Sequence, residues 1–197
     1  MTKKQIGLTG GIACGKTEVA NHLILRGISV LDADLVAHEV MRSGTEVFER
    51  IVENFGKKVI NEEGELNRRR LGELVFSDEV ALKELNRIVH PEVAICWREW
   101  LSRQTAELVV VAIPLLMECG LEKEFDGVLC VWSPEEKMKE RLMKRGFSAE
   151  QAENRIRAQW PVDEKVKRAT WILNNTTTLT DLYEQVDIWI KNRKVPE

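Results

Sequence analysis

Short apolar runs and longer amphipathic stretches take turns along this chain. Gln5-Ile6-Gly7-Leu8 predicts a strand, followed by glycines and a helix from about Lys16 to Leu25. Gly27 sits just past that helix, where a C′ glycine belongs. Ile28 to Leu31 predicts a second strand. Leu108 to Ile113 is a continuous run rich in β-branched residues, the pattern of a strand covered on both faces. Val128 to Trp132 and Trp171 to Leu173 supply two more strands. Leu179, Leu182, Val186 and Ile190, at spacings of three and four, predict a closing helix. Alternation of this kind argues for an α/β fold, with a mainly parallel sheet of about five strands flanked by helices.

Two stretches stand outside that rhythm. Residues from about 35 to 104 are charged and helical in pattern, and predict a helical insertion between strands two and three. Residues from about 134 to 168 hold ten Lys or Arg against seven Asp or Glu, in a chain whose overall balance is acidic. A solvated helical face would explain that stretch, and so would a basic lid. The core is then expected at about 1–34, 105–133 and 169–197, in one domain without internal repeats or linkers.

Composition narrows the class. With 44% hydrophobic and 31% charged residues in 197, the chain can bury a core. Its 29 Lys and Arg against 32 Asp and Glu give −3, so no global basic field points to nucleic acid or an anionic membrane. The longest apolar run, Leu108 to Met117, contains Pro114 and is too short to span a bilayer. Met1-Thr2-Lys3-Lys4 leads into no signal-peptide core, so a cytoplasmic protein is expected. Cys14, Cys96, Cys119 and Cys130 form no C-x-x-C pair, and His22, His38 and His90 are dispersed; neither a disulfide framework nor a zinc site is indicated. Nothing implies an obligate protein partner.

The chemistry begins at Gly10-Gly11-Ile12-Ala13-Cys14-Gly15-Lys16-Thr17, which matches G-x-x-x-x-G-K-[ST] after a strand and at the start of a helix. Glycines let successive N–H groups converge on phosphate oxygens, and the helix start adds partial positive charge. Gly11, Ile12, Ala13, Cys14, Gly15, Lys16 and Thr17 are therefore the expected nucleotide-binding residues. Lys16 can reach the β- and γ-phosphates of ATP, and the Thr17 hydroxyl can ligate Mg²⁺. Cys14, a thiol at a helix N-terminus, is a candidate for a lowered pKa or a small space-filler.

A GTPase is excluded by the absence of N-K-x-D and D-x-x-G sequences, and the chain's size and basic stretch favour a small-molecule kinase with a lid. The second strand ends in Leu31-Asp32-Ala33-Asp34, at the sheet edge that faces the crevice in such folds. If the chain stays extended, alternation puts Asp32 and Asp34 on one side. One carboxylate could take the proton of an attacking hydroxyl while the other holds Mg²⁺ through water; capping of the next helix is the plain alternative. Arg141 and Arg145, one helical turn apart, are read as lid groups that approach the transferring phosphate, with ion pairing to Glu140 as the alternative. Arg155 and Gln159 form a second such pair. Glu118 is a candidate for orienting acceptor or metal waters, or a local cap. His90-Pro91 either caps a helix or lines a pocket, and Trp97 and Trp100 read as core. Asn174 and Asn175 border the adenine or form a turn.

Taken in order, these motifs resemble the dephospho-coenzyme A kinase family over almost the whole chain. The matching stretches are Leu8-Thr9-Gly10-Gly11-Ile12 with Gly15-Lys16, Asp32-Ala33-Asp34, Gly64-Glu65-Leu66 with Arg68, Leu85-Asn86 with His90-Pro91, and Pro114-Leu115-Leu116 with Glu118. Arg141, Arg145, Arg155, Gln159 and Ile172 with Asn174-Asn175 complete the series. The resemblance implies a P-loop kinase fold, an acceptor-binding helical insertion, a lid, and Mg²⁺-dependent transfer of the ATP γ-phosphoryl group to the ribose 3′-hydroxyl of dephospho-CoA. It also implies Asp34 as general base. Departures from the family pattern are Ala13 where a glycine is usual, Thr17-Glu18 for Ser-Thr, Thr170 for an acid, and a bulkier Trp160. Ala13 fits the pattern without strain if its φ is negative.

Overall fold

In the computed structural model, which describes residues 3–192, the backbone divides into two compact units: one runs to Asp32 and resumes at Arg103, the other is Ala33–Ser102. The first is built on five parallel strands: β1 (Lys4–Gly10), β2 (Ser29–Asp32), β3 (Leu108–Ala112), β4 (Gly127–Trp132) and β5 (Trp171–Asn174), in the order β2-β3-β1-β4-β5. Every pairing is parallel, so each connection crosses over the sheet through other structure.

Both sheet faces are covered, which is why β3 is apolar without alternation. Val110 and Ala112 join one core with Ile6 and Leu8 of β1, while Val109 and Val111 point the other way and are also fully buried. Each of these valine, leucine and isoleucine side chains contributes about 1.5–3 kcal/mol on burial. The helix α1 (Lys16–Leu25) sinks Val19, Ala20 and Leu23 into that core beside α9 (Leu179–Asn192). In α9 the buried stripe is Leu182, Val186 and Trp189; Leu179 is exposed and Ile190 only packs against its edge. The stripe predicted from aliphatic spacing is thus rotated, because the indole of Trp189 carries the largest apolar area to bury.

Between β4 and β5 come α6 (Glu135–Lys144), α7 (Ala149–Arg157) and α8 (Val162–Arg168). The stretch expected as a lid is tightly fastened in this conformation. Met138 of α6 and Val162 of α8 belong to the main core, and Lys139 pairs with Glu153 across the α6–α7 hairpin. Ser148 caps α7 in a reciprocal box with Gln151, which fixes the turn into it.

The second unit holds α2 (Ala33–Val40), α3 (Glu46–Phe55), α4 (Arg68–Val75) and the long α5 (Glu79–Arg103, its last residue counted with the first unit). Thr45 and Asn67 cap α3 and α4 through side-chain oxygens. His90-Pro91 lies inside α5, so it caps nothing; burial pushes the His90 imidazole pKa down. Trp97 of α5 is buried core. No helix among the described residues is long and apolar enough to cross a membrane.

Candidate functional site

Gly10 closes β1 against β4 so tightly that a Cβ there would lie 2.6 Å from the Val131 carbonyl oxygen. From that fixed point the chain turns through Gly11–Gly15 and enters α1 at Lys16. Gly15 takes φ 106° and is the N-cap of α1, with no side chain capping the first turn. Gly15, with no side chain of its own to cap the helix, leaves the positive end of α1 in the arrangement that suits an anion. Ala13 has φ 59°, the positive-φ non-glycine residue among those described. The negative φ that would have suited an alanine is not what the turn requires, so Ala13 carries left-handed strain of about 1–2 kcal/mol.

Several side chains brace the cradle from behind, through its carbonyls. Arg141 donates through Nη1 to the Ala13 carbonyl (3.1 Å) and Ser133 Oγ (2.9 Å), and through Nη2 to the Asn175 carbonyl (2.8 Å). Asn175 is 3% exposed; its side-chain amide donates to the Cys14 carbonyl (2.7 Å). Buried Ser133 donates to the Asn175 carbonyl at 2.7 Å, joining the ends of β4 and β5 beneath the loop. The Ile12 N–H donates to Gln159 Oε1 at 3.0 Å.

These contacts bear on the expectations for the basic stretch and Asn175. Arg141 is not paired with Glu140 but is committed to the cradle's carbonyls, and the Arg145 N–H donates to the Arg141 carbonyl (3.2 Å) one turn further on. The helix stops at Lys144, leaving Arg145 as the exposed C-cap residue. Asn175 turns its side chain to the loop backbone and serves the cradle as a support. Asn174 is exposed and its N–H donates to Gln185 Oε1 (2.8 Å). Arg155 and Gln159 also separate: Arg155 is buried over the Phe147 ring, while Gln159 lies beyond the end of α7.

Of the two readings of Cys14, the structure supports the space-filler. Its thiol is fully buried with Sγ 3.2 Å from Met138 Sδ, and burial pushes its pKa up to about 11. Desolvation outweighs the helix terminus, so the residue is an inert space-filler.

Lys16 is mostly buried, and its Nζ lies 3.4 Å from Asp32 Oδ1 at the end of β2. That long, part-buried pair holds the ammonium group beside the cradle. Thr17, one residue further into α1, is exposed. Thr17 and Asp32 offer only oxygen donors, the type Mg²⁺ takes, so this pair fits the metal. The β2 strand ends at Asp32 and α2 starts at Ala33, so Asp34 is an exposed residue of that helix's first turn. Strand alternation therefore does not relate the two acids, because the extended chain it needs stops one residue too soon.

Glu118 neither caps nor faces solvent. Its Oε1 accepts from the Trp160 N–H (3.0 Å) and from Lys165 Nζ (2.8 Å). The Trp160 ring lies beneath Arg168, and Thr170 accepts the Val128 N–H through its hydroxyl (3.0 Å), fixing the start of β5. A cavity of about 560 Å³ opens beside the cradle, lined in part by Gly11, Ile12, Trp132, Met138, Gln159 and Trp160. The sequence reading missed Ser133 and Lys165; full burial of a lysine carries no signal in the sequence.

A parallel sheet whose first strand runs into an amide-lined turn, a lysine and a helix start defines a P-loop nucleotide-binding fold. The family model described as dephospho-CoA kinase matches residues 4–181, and the chain belongs to that family. It is 45% identical over 192 residues to a dephospho-CoA kinase of Bacillus licheniformis, covering 93% of this chain and 96% of the relative. The solved dephospho-CoA kinase of Campylobacter jejuni is 28% identical with a TM-score of 0.68, covering 98% of each chain. A shikimate kinase from Acinetobacter baumannii, 22% identical with a TM-score of 0.54 over 99% of this chain and 97% of that one, shares the fold.

Proposed function

We propose that this protein transfers the γ-phosphoryl group of ATP to the ribose 3′-hydroxyl of dephospho-CoA, giving coenzyme A and ADP. The observation that carries it is the braced cradle with Lys16 at its mouth, in a chain of this family. Such a site positions a polyphosphate and stabilises the charge that moves off the γ-phosphoryl group. Lys16, whose Nζ lies 3.4 Å from Asp32 Oδ1 beside the cradle, meets the β- and γ-phosphate oxygens of ATP. Thr17, with Asp32 through water, would hold Mg²⁺, which when bound neutralises charge on the polyphosphate.

Asp34 takes the proton from the 3′-hydroxyl as its oxygen bonds to the γ-phosphorus; the bond to the β–γ bridging oxygen breaks, and ADP carries away the electron pair. Arg145 is the lid cation in this reading, since it is exposed at the α6–α7 turn. Arg141 acts through the cradle it braces. The Ala33–Ser102 unit binds the acceptor.

A coupled ADP-release assay across dephospho-CoA, shikimate and nucleoside monophosphates tests the assignment. Release stimulated by dephospho-CoA alone is expected. Preference for shikimate or a nucleotide would overturn it.

A further inference from the structure

Lys165 of α8 is 0% exposed, on a helix whose other lysine and arginine face solvent. A lysine is almost never fully buried unless each of its donors has a partner. Here Nζ reaches the Pro114 carbonyl just beyond β3 (2.8 Å), Glu118 Oε1 (2.8 Å) and, at 3.5 Å, the carbonyl of Gly10. Gly10 is the residue from which the cradle departs. The Pro114 carbonyl also accepts from the Thr9 hydroxyl (3.1 Å), so one ammonium group joins the exits of β1 and β3. Glu118 in turn holds the Trp160 N–H, one residue after Gln159, whose side chain accepts the Ile12 N–H of the cradle. Lys165 thus ties the entry of the loop through Gly10, while Glu118 supplies its counter-charge.

We infer that Lys165 is a positioning residue for nucleotide binding, setting the angle at which the cradle leaves the sheet. Burying an ammonium group is costly, and a well-packed apolar side chain would hold α8 on β4 as well. What an apolar side chain cannot supply is a donor to the carbonyls of Gly10 and Pro114. A misplacement of about 1 Å in such a site costs on the order of a hundredfold in rate.

The inference rests on reading the cradle as the nucleotide site, and the experiment separates the two. Melting temperature without nucleotide, the ADP dissociation constant by calorimetry, and KM for ATP are measured for wild type, Glu118→Gln, Lys165→Met and the double variant. Wild type that fails to bind ADP would sink the cradle itself. Glu118→Gln leaves a buried charge unpaired but keeps the bonds to both carbonyls. It is expected to melt lower yet bind ADP within about twofold of wild type. The double variant removes both charges and is expected to regain much of the stability lost by Lys165→Met. Its ADP affinity stays down about tenfold, with KM for ATP rising more than kcat falls. ADP affinity that follows melting temperature across the variants, or wild-type affinity in the double variant, would overturn the inference.

Discussion

One added methyl group at position 15 is expected to dismantle the cradle. Gly15 has φ 106° and ψ 18°, a conformation that costs an L-residue about 1–3 kcal/mol. The new Cβ would also fall 2.4 Å from Asn175 Nδ2, and that side chain is buried and donates to the Cys14 carbonyl at 2.7 Å. Moving it leaves an amide and a carbonyl without partners in the interior, worth about 1–3 kcal/mol. Together the two effects predict that Gly15→Ala loses about 4 kcal/mol, or roughly 8–16 °C in melting temperature for a chain of this size. The same substitution at Gly27 is the control. Its φ of 78° carries backbone strain alone, since a Cβ there would meet nothing within 4 Å, so a smaller loss of stability and unchanged ADP binding are expected. Circular-dichroism melting and ADP titration of both variants decide the matter. A Gly15→Ala protein that melts within about 2 °C of wild type and binds ADP normally would refute the strain argument.

The opposite change two residues earlier has the opposite sign. Ala13→Gly relieves a left-handed alanine (φ 59°) worth about 1–2 kcal/mol and adds about 0.4–1 kcal/mol of unfolded-state freedom. A small rise in the urea midpoint is expected, and a fall would contradict it. On the far side of α1, Asp187 accepts from Arg26 (2.7 and 2.5 Å) and meets His22 Nε2 at 2.9 Å. Those bonds, Arg26 first, hold its carboxyl well below the usual range. The stability it contributes is therefore present above the ordinary carboxylate pKa and lost as pH falls through and below it. Urea midpoints measured from pH 7 to pH 3 should fall more steeply for wild type than for Asp187→Asn; equal slopes would remove this role.

The apolar runs at 108–113 and 128–132 made the central strands legible because a strand buried on both faces is written without polar alternation, while the half-buried edge run at 28–31 was legible from its place after α1. The cradle was legible for a different reason: its chemistry needs glycine, lysine and a hydroxyl within a few residues. Its supports were not. Arg141 and Asn175 meet the loop across 128 and 161 residues of chain, so no local pattern links them to Ala13 and Cys14. Pattern also carries no φ, which hid the strain at Ala13. It carries no burial either, and burial decided between the two readings of Cys14 and concealed Lys165. At Asp32-Ala33-Asp34 helix initiation cut off strand alternation, a boundary that one residue decides.

The account turns on a carboxylate that receives the acceptor's proton once the cradle holds ATP. Single-turnover transfer from γ-labelled ATP to dephospho-CoA, measured alongside ADP affinity for wild type and Asp34→Asn, addresses it most directly. Nucleotide affinity within about twofold of wild type is expected, with transfer slowed at least a hundredfold, the scale of lost general-base catalysis. Transfer at the wild-type rate by Asp34→Asn would contradict it.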